Sequence, residues 1–191
     1  CGNLLVKKSF SVVWSRWMRC IMGNVDVENK RPECTPVFPL FVDLWQKKIV
    51  IVGAGTIALR RMRSLLPFAP ELWIVAPEIT ANRPSIPETV HLLKQKYEPS
   101  VCQGAFLVLA ATNDDELNAR ICRDGRAAGA FVNNASDHEQ CDFYFPSIVR
   151  NEQKVIGLNG GGMDHGGTKE LRKKVEQVLE IGADKSVYDG E

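Results

Sequence analysis

A short glycine-rich sequence is the clearest candidate for chemistry in this chain of 191 residues. Residues 53–58, Gly-Ala-Gly-Thr-Ile-Ala, match the pattern G-x-G-x-x-[GA] that holds the pyrophosphate of a dinucleotide. Gly53 permits a tight turn, Gly55 has no Cβ to block the pyrophosphate, and Ala58 lets the following helix pack close to its strand. Free N–H groups at the start of that helix would face the negative charge. A tight turn without a ligand is the alternative, but the position between a predicted strand and a predicted helix favours dinucleotide binding.

Polar residues follow two other predicted strands. Glu78 comes after the second strand, where an acid accepts hydrogen bonds from the 2′-hydroxyl of the adenosine ribose. No Arg stands at this strand tip to hold a 2′-phosphate, so the sequence favours NAD over NADP. Thr112 and Asn113 follow the fourth strand, whose small last residues let the cofactor lie across the carboxyl edge of the sheet. For these side chains the alternative is ordinary capping of the next helix by Asn113 or Asp114.

These residues depend on a regular alternation of strands and helices. Short apolar runs predict strands, and apolar residues at helical spacing predict helices between them. The predicted strands are residues 48–52, 72–75, 90–93, 106–111 and 130–133, and the predicted helices are residues 56–66 and 114–128. Such alternation requires right-handed crossovers and a parallel sheet. We predict an α/β fold, a Rossmann-like doubly wound parallel sheet with a small dimerisation segment and a C-terminal helix.

Composition excludes several classes of partner. Lys and Arg number 24 against 23 Asp and Glu, a formal net charge of +1, so the chain is not a general binder of nucleic acid or anionic membranes. No apolar run approaches the roughly 18–20 residues that a membrane span needs. The six cysteines form no CxxC motif and no zinc-ligand spacing, which favours reduced thiols. We therefore expect a soluble, cytoplasmic protein without nucleic-acid or membrane partners.

The chain is expected to divide into three segments. Residues 1–36 are interpreted as a leader or a poorly ordered extension, because Lys7, Lys8 and Arg16 interrupt its apolar stretches and a polar run follows. Residues 37–136 form the predicted Rossmann domain. Residues 137–191 supply a dimerisation strand at 155–158, a glycine-rich loop and a helix. The strand and helix have no obvious place in a five-stranded sheet, which predicts a homodimer.

Five segments, taken in this order, resemble one family. They are residues 38–44, 53–61, 76–80, 104–114 and 141–150 (CDFYFPSIVR), and they resemble precorrin-2 dehydrogenase, the NAD-dependent part of siroheme synthase. The resemblance covers residues 37–180 and implies oxidation of precorrin-2 to sirohydrochlorin by NAD, within a homodimer. It also implies that cofactor contacts fall on Thr56, Ile57, Pro77 and Glu78. Some members insert ferrous iron into sirohydrochlorin in the same cleft, so iron is expected only if that chelatase activity is present.

The resemblance is imperfect where the family places its catalytic aspartate. That position falls on Ser136, and the carboxylate stands one residue later, at Asp137. Asp137 could reach the cleft from a loop or cap a turn, because Asp in a polar loop is often a turn former. His138 could titrate near neutrality or ligate a metal, with an exposed loop histidine as the alternative. Asn133, in the same motif, is expected to contact the substrate.

A second departure lies in the glycine-rich loop of residues 159–167 (NGGGMDHGG), where Gly160 replaces the family's serine. Gly160 and Gly161 would still let the backbone approach a large planar ligand. The substrate is rich in carboxylates, so cations on the last helix, Lys169 and Arg172, are candidate partners. A solvated loop and a solvated helix face are the alternatives.

Three functions compete at this point: a precorrin-2 dehydrogenase, a bifunctional dehydrogenase and ferrochelatase, and a catalytically weakened protein that binds NAD or a tetrapyrrole. Ser136 and Gly160 favour the third. The identity of any metal is open.

Overall fold

The computed structural model describes residues 37–79, 86–151, 154–161 and 165–179. The chain divides into two compact units. One unit ends at Pro39 and has only residues 37–39 described, so the predicted leader lies outside the described residues. The other unit begins at Leu40 and contains every helix and strand below.

The second unit alternates strands and helices along most of its length. The strands are β1 Lys48–Val52, β2 Glu71–Val75, β3 His91–Leu93, β4 Leu107–Ala110, β5 Phe131–Asn134, β6 Ser147–Arg150 and β7 Val155–Leu158. The helices are α1 Thr56–Leu65, α2 Asp115–Ala127 and α3 His165–Val178. Short 3-10 helices cover Leu66–Phe68, Pro99–Cys102 and His138–Gln140. Within the described part of the chain, no helix is long and apolar enough to cross a membrane.

Five strands form one parallel sheet in the order β3-β2-β1-β4-β5. This order places the switch point between β1 and β4, where ligands of open α/β sheets bind. Each predicted strand and helix of the sheet lies within two residues of its observed bounds. The predicted doubly wound fold is confirmed.

The central strand is buried on both faces, as its uninterrupted apolar sequence predicts. Ile49 and Ile51 pack in the layer under α1, with Leu59 and Met62. Alternate residues of β1 pack in the second layer, with Ile121 of α2. Helices on both faces of one sheet therefore hold the carboxyl ends of β1, β4 and β5 in fixed positions.

The outer edge of β5 is covered by the chain that follows it. The Asp142 N–H donates to the Val132 carbonyl over 2.9 Å, and Asp142 Oδ2 accepts from the Val132 N–H over 2.9 Å. Arg126 of α2 donates through Nε to Asp142 Oδ1 over 2.9 Å. The segment after β5 thus provides hydrogen-bond partners for backbone groups of β5, which is the edge strand of the sheet.

The predicted strand at residues 155–158 is β7, and it pairs antiparallel with β6 in a separate two-stranded sheet. Sequence analysis included residues 147–150 in a family motif and did not predict β6. The apolar residues of β6 are only the adjacent pair Ile148 and Val149, which is too little to predict a strand. Helix α3 follows this second sheet.

Candidate functional site

The glycine turn joins the ends of three strands. Gly53 has φ +111°, and its N–H donates to the carbonyl of Val75 at the end of β2 over 2.8 Å. A Cβ on Gly53 would lie 2.3 Å from the carbonyl oxygen of Ala111, just beyond β4. No side chain fits this close approach, so glycine is required here both by conformation and by space.

Helix α1 begins directly after this turn. Gly55 is its N-cap residue in an extended conformation, and no side-chain cap is made among the described residues. The first turn of a helix leaves its N–H groups without intrahelical acceptors, here those of Thr56, Ile57 and Ala58. Thr56 and Ile57 are exposed, whereas Ala58 is buried against the sheet. The start of α1 thus offers backbone N–H donors without a side-chain cap, which fits a bound pyrophosphate.

The end of β2 presents a carboxylate beside the glycine turn. The Ala76 N–H donates to the Leu93 carbonyl over 3.1 Å, which fixes the chain as it leaves the sheet. Pro77 and Glu78 follow and are exposed. Because the carboxyl ends of parallel strands lie at one edge of the sheet, Glu78 and Gly53 both follow strands at that edge.

A buried amide, which sequence analysis missed, connects the ends of β4 and β5. Asn118 of α2 is 0% exposed, and its Oδ1 accepts from Thr112 N over 3.0 Å and from Thr112 Oγ1 over 2.8 Å. Its Nδ2 donates to the Thr112 carbonyl over 3.1 Å and to Ser136 Oγ over 3.2 Å. The available signal was an asparagine on the apolar face of an amphipathic helix.

Thr112 and Asn113 therefore differ in their surroundings. The Thr112 hydroxyl is engaged with Asn118, while Asn113 is exposed. Asp114 accepts from the Leu117 N–H over 3.0 Å and caps α2. The capping alternative thus holds for Asp114, and the exposed Asn113 faces solvent at the carboxyl edge.

Ser136, at the position of the family's aspartate, belongs to the same hydrogen-bond network. Its Oγ donates to Asn134 Oδ1 over 2.9 Å, and its N–H donates to the same atom over 3.0 Å. Asp137 caps the short helix that follows, since Oδ1 accepts from the Glu139 N–H over 2.9 Å and Oδ2 from Gln140 Nε2 over 2.8 Å. Each carboxylate oxygen accepts more than one hydrogen bond, so this cap leaves Asp137 able to accept another.

A hydrogen bond to a thiol joins the loop that holds Asp137 to β5. Cys141 Sγ accepts from the Asn134 N–H over 3.2 Å and lies 3.4 Å from the Asp137 carbonyl oxygen. Burial raises the pKa of this thiol, and the hydrogen bond from the Asn134 N–H and the positive charge of Arg61 partly offset the shift. His138 is exposed in the same loop.

Asn133 lies one residue earlier and is 3% exposed. Its Nδ2 donates to the Phe143 carbonyl over 2.8 Å, which ties β5 to the returning segment. Its Oδ1 is buried and has no hydrogen-bond partner among the described residues. A buried acceptor of this kind is available to an N–H from a ligand or from water.

The remaining predicted residues lie on the loop after β7 and on α3. Gly160 and Gly161 are exposed on the loop after β7, and Gly161 has φ +69°. Lys169 is exposed on α3, and Arg172 forms an ion pair with Glu176 at 3.6 Å. In the described ranges, no group of three or more His, Cys, Asp or Glu side chains could hold a metal ion.

Comparisons with known proteins agree with this geometry. A sequence model of the family described as "Putative NAD(P)-binding" matches residues 40–147. The chain is 35% identical over 144 residues to the "Probable multifunctional siroheme biosynthesis protein HemA" of Ruminiclostridium josui, covering 74% of this chain and 28% of that protein. It is 34% identical over 143 residues to siroheme synthase 1 of Pectobacterium atrosepticum, covering 74% of this chain and 30% of that protein.

The solved structure of SirC, precorrin-2 dehydrogenase, shares the fold at a TM-score of 0.59 and 20% identity, covering 74% of this chain and 71% of that one. The predicted resemblance to the NAD-binding part of siroheme synthases is confirmed, and the chain spans less than a third of the length of those two relatives. Because the family's sequence model covers more than half of the chain, over the sheet and the glycine turn, this protein belongs to that NAD(P)-binding family.

Proposed function

We propose that this protein oxidises precorrin-2 to sirohydrochlorin with NAD, in siroheme biosynthesis. The observation that carries the proposal is the glycine turn, closed against Ala111 at the switch point of a sheet whose sequence matches siroheme synthases. In the balanced reaction, precorrin-2 loses one hydride to NAD and one proton to a base, which gives sirohydrochlorin, NADH and a proton. The chain's own residues must bind both molecules and receive that proton.

The cofactor site is proposed at the carboxyl edge of β1, β2 and β4. Gly53, Gly55, Thr56, Ile57 and Ala58 would hold the pyrophosphate through backbone N–H groups. When bound, NAD supplies the hydride acceptor. Titration with NAD and with NADP tests this site, with tighter NAD binding expected.

Specificity for NAD is proposed to come from Glu78, beside Pro77. Its carboxylate can accept hydrogen bonds from a ribose 2′-hydroxyl and would repel a 2′-phosphate. Thr112 and Asn113 would border the cofactor on the β4 side. Equal affinity for NADP would refute the role given to Glu78.

Asp137 is the proposed proton acceptor, with Ser136 and His138 as its neighbours in the catalytic loop. It is the carboxylate beside the carboxyl end of β5, and its oxygens keep accepting capacity beyond the cap they make. Asp137→Ala is expected to lower turnover by about 10²–10⁴, the range for loss of a general base, with NAD affinity unchanged. Asp137→Asn would behave like Ala if the charge matters, and better than Ala if only a hydrogen bond does.

Glu139 offers a matched control, because it is an exposed carboxylate in the same loop whose side chain has no proposed role. Glu139→Gln should therefore keep full turnover. Full dehydrogenase activity in Asp137→Ala would show that the base lies elsewhere or that the proton passes to water.

Substrate contacts are proposed for Asn133, Gly160, Gly161, Lys169 and Arg172. Asn133 supports this most directly, because its buried Oδ1 is available as an acceptor. The glycine loop and α3 would meet the substrate from the second sheet. Substitution of Lys169 by Met should raise the KM for precorrin-2 and leave the affinity for NAD unchanged.

A homodimer is the proposed assembly. Val155 is 39% exposed on β7, and Leu171 and Val178 are 50% and 81% exposed on α3, so this part of the surface carries apolar side chains that a partner would cover. Light scattering at micromolar concentration should give the mass of two chains. A monomeric mass would contradict the proposal. A cytoplasmic location is proposed on the free thiols of Cys102 and Cys122, both buried.

One assay separates the competing functions. Purified protein is mixed with precorrin-2 and NAD, and NADH absorbance is followed together with the sirohydrochlorin spectrum. Equal formation of both products is the expected result. Tetrapyrrole binding without NADH would instead identify a binding protein, and loss of sirohydrochlorin on addition of ferrous iron without NAD would identify a chelatase.

A further inference from the structure

Two buried polar atoms lack hydrogen-bond partners among the described residues, and both lie beside the same short segment. One is Nη1 of Arg61 on α1, and the other is Oδ1 of Asn133 on β5. The Arg61 guanidinium carbon lies 5.3 Å from the centre of the Phe145 ring. Asn133 holds the Phe143 carbonyl through its Nδ2 over 2.8 Å. The unpaired donor and the unpaired acceptor thus flank residues 143–145.

Nη1 of Arg61 is buried and has no hydrogen-bond acceptor among the described residues, although Arg61 as a whole is half-buried. None of the four ion pairs found in the described ranges involves Arg61. Its described neighbours are the ring of Phe145 and, through charge, the thiol of Cys141 and the cation of Arg60. Burial lowers the pKa of Arg61 to about 10, so the group stays protonated at neutral pH. A buried N–H without an acceptor lowers the stability of the folded state, and an anionic ligand would offset that loss.

The position of Arg61 separates it from the cofactor's phosphates. Arg61 follows Gly55 by six residues along α1, which is about 9 Å at 1.5 Å per residue. The side chain packs against the segment that continues from the Asp137 loop through Cys141. Arg61 therefore lies on the side of the site where the proposed proton acceptor is, and away from the glycine turn.

We infer that Arg61 binds a carboxylate of the tetrapyrrole substrate, between α1 and residues 141–145, with Asn133 Oδ1 accepting an N–H of the same ligand. This inference rests on the proposed function, because a carboxylate-rich tetrapyrrole is the ligand that supplies both groups. Guanidinium pairs with carboxylate through two parallel hydrogen bonds, which orients the ligand as well as holding it. The Phe145 ring, 5.3 Å from the guanidinium carbon, helps to hold this group in place before the ligand arrives.

The test is a titration with sirohydrochlorin, the proposed product, followed by its absorbance in wild type and variants. Arg61→Met keeps an unbranched apolar side chain against Phe145 and removes the donors and the charge. It should bind sirohydrochlorin about 10- to 100-fold more weakly, because the charge-assisted hydrogen bonds to the carboxylate are lost, at tenfold per 1.4 kcal/mol. Arg61→Lys keeps the charge without the planar fork, and its affinity should fall between the two.

Arg60→Met is the matched control, because it removes an exposed guanidinium from the adjacent residue and changes the net charge equally. It should bind sirohydrochlorin within about twofold of wild type. NAD affinity and the thermal midpoint should be unchanged in Arg61→Lys, which keeps the test valid if Arg61→Met folds poorly.

Three negative outcomes are distinguishable. If wild type binds sirohydrochlorin and both Arg61 variants bind it equally well, the assignment of Arg61 is overturned while the proposed function stands. If Arg60→Met loses as much affinity as Arg61→Met, general charge explains binding and the assignment is again overturned. If wild type binds NAD but no sirohydrochlorin, the proposed function fails and the inference fails with it.

Discussion

Replacement of Gly53 by alanine should show how closely the glycine turn approaches β4. Two costs add at this position. An L-residue in the left-handed region costs about 1–2 kcal/mol, and Gly53 has φ +111°. The new Cβ would also lie 2.3 Å from the Ala111 carbonyl oxygen, so backbone must move, which costs about 1–3 kcal/mol more. We expect a loss of about 2–5 kcal/mol in the free energy of unfolding.

Gly129→Ala separates the two costs. Gly129 has φ +83°, yet a Cβ there would meet no atom within 4 Å among the described residues. Gly129→Ala should lower the free energy of unfolding only by the conformational cost, about 1–2 kcal/mol. The difference between the two variants therefore measures the contact with Ala111, and we expect about 1–3 kcal/mol.

The assay is urea unfolding of both variants followed by circular dichroism, with equal slopes required for the comparison. NAD affinity is measured in parallel, because a shifted turn moves the N–H groups of α1. Gly53→Ala should weaken NAD binding, and Gly129→Ala should not. Equal stability losses in the two variants would refute the close approach to Ala111, and wild-type NAD affinity in Gly53→Ala would refute its role in holding the cofactor.

Three further predictions concern the hydrogen-bond network, the cofactor and pH. Asn118→Leu should lower the free energy of unfolding by about 2–4 kcal/mol, because the N–H and carbonyl of Thr112 lose their partner; a loss under about 1 kcal/mol in urea unfolding would contradict this. Gly55→Asp should abolish NAD binding by bulk and charge while the fold survives, since Gly55 has φ −72°; unchanged affinity would remove the cofactor assignment. Burial raises the pKa of Cys122 from 9.0 to about 11, so the folded state holds that proton longer as pH rises, and stability should fall between these values. Thermal melts over this pH range should show a smaller fall in stability for Cys122→Ala than for wild type. An equal fall would contradict the prediction.

The strands and helices of the main sheet were predictable because their signals are local. The run Lys48–Val52 and the helical spacing after it depend only on neighbouring residues, and the observed elements follow them closely. The glycine pattern was predictable for the same reason, since its meaning comes from a strand before it and a helix after it. β6 was not, because its apolar residues are only the adjacent pair Ile148 and Val149.

The loop that holds Asp137 shows which contacts local sequence patterns do not predict. The sequence allowed Asp137 either to reach the cleft or to cap a turn. In the structure its carboxylate oxygens accept hydrogen bonds from Glu139 and Gln140, which caps the turn. Its part in catalysis stays a prediction. Neither the hydrogen bonds of Ser136 nor the tether at Cys141 could be read from residue types, because their partners lie on β5 and α2. Which donor meets which acceptor depends on how the elements pack.

The sequence by itself determined the alternating fold, the glycine turn and the family, because each is written in residues that are close along the chain. Only the tertiary structure decided that Gly53 closes against Ala111, that Asn118 joins the ends of β4 and β5, and that Nη1 of Arg61 is buried without an acceptor among the described residues. These contacts join residues far apart in sequence, and their distances are set by the packing of two helical layers on one sheet. Local patterns specify the elements, whereas the pairing and burial of single polar atoms arise only when those elements meet.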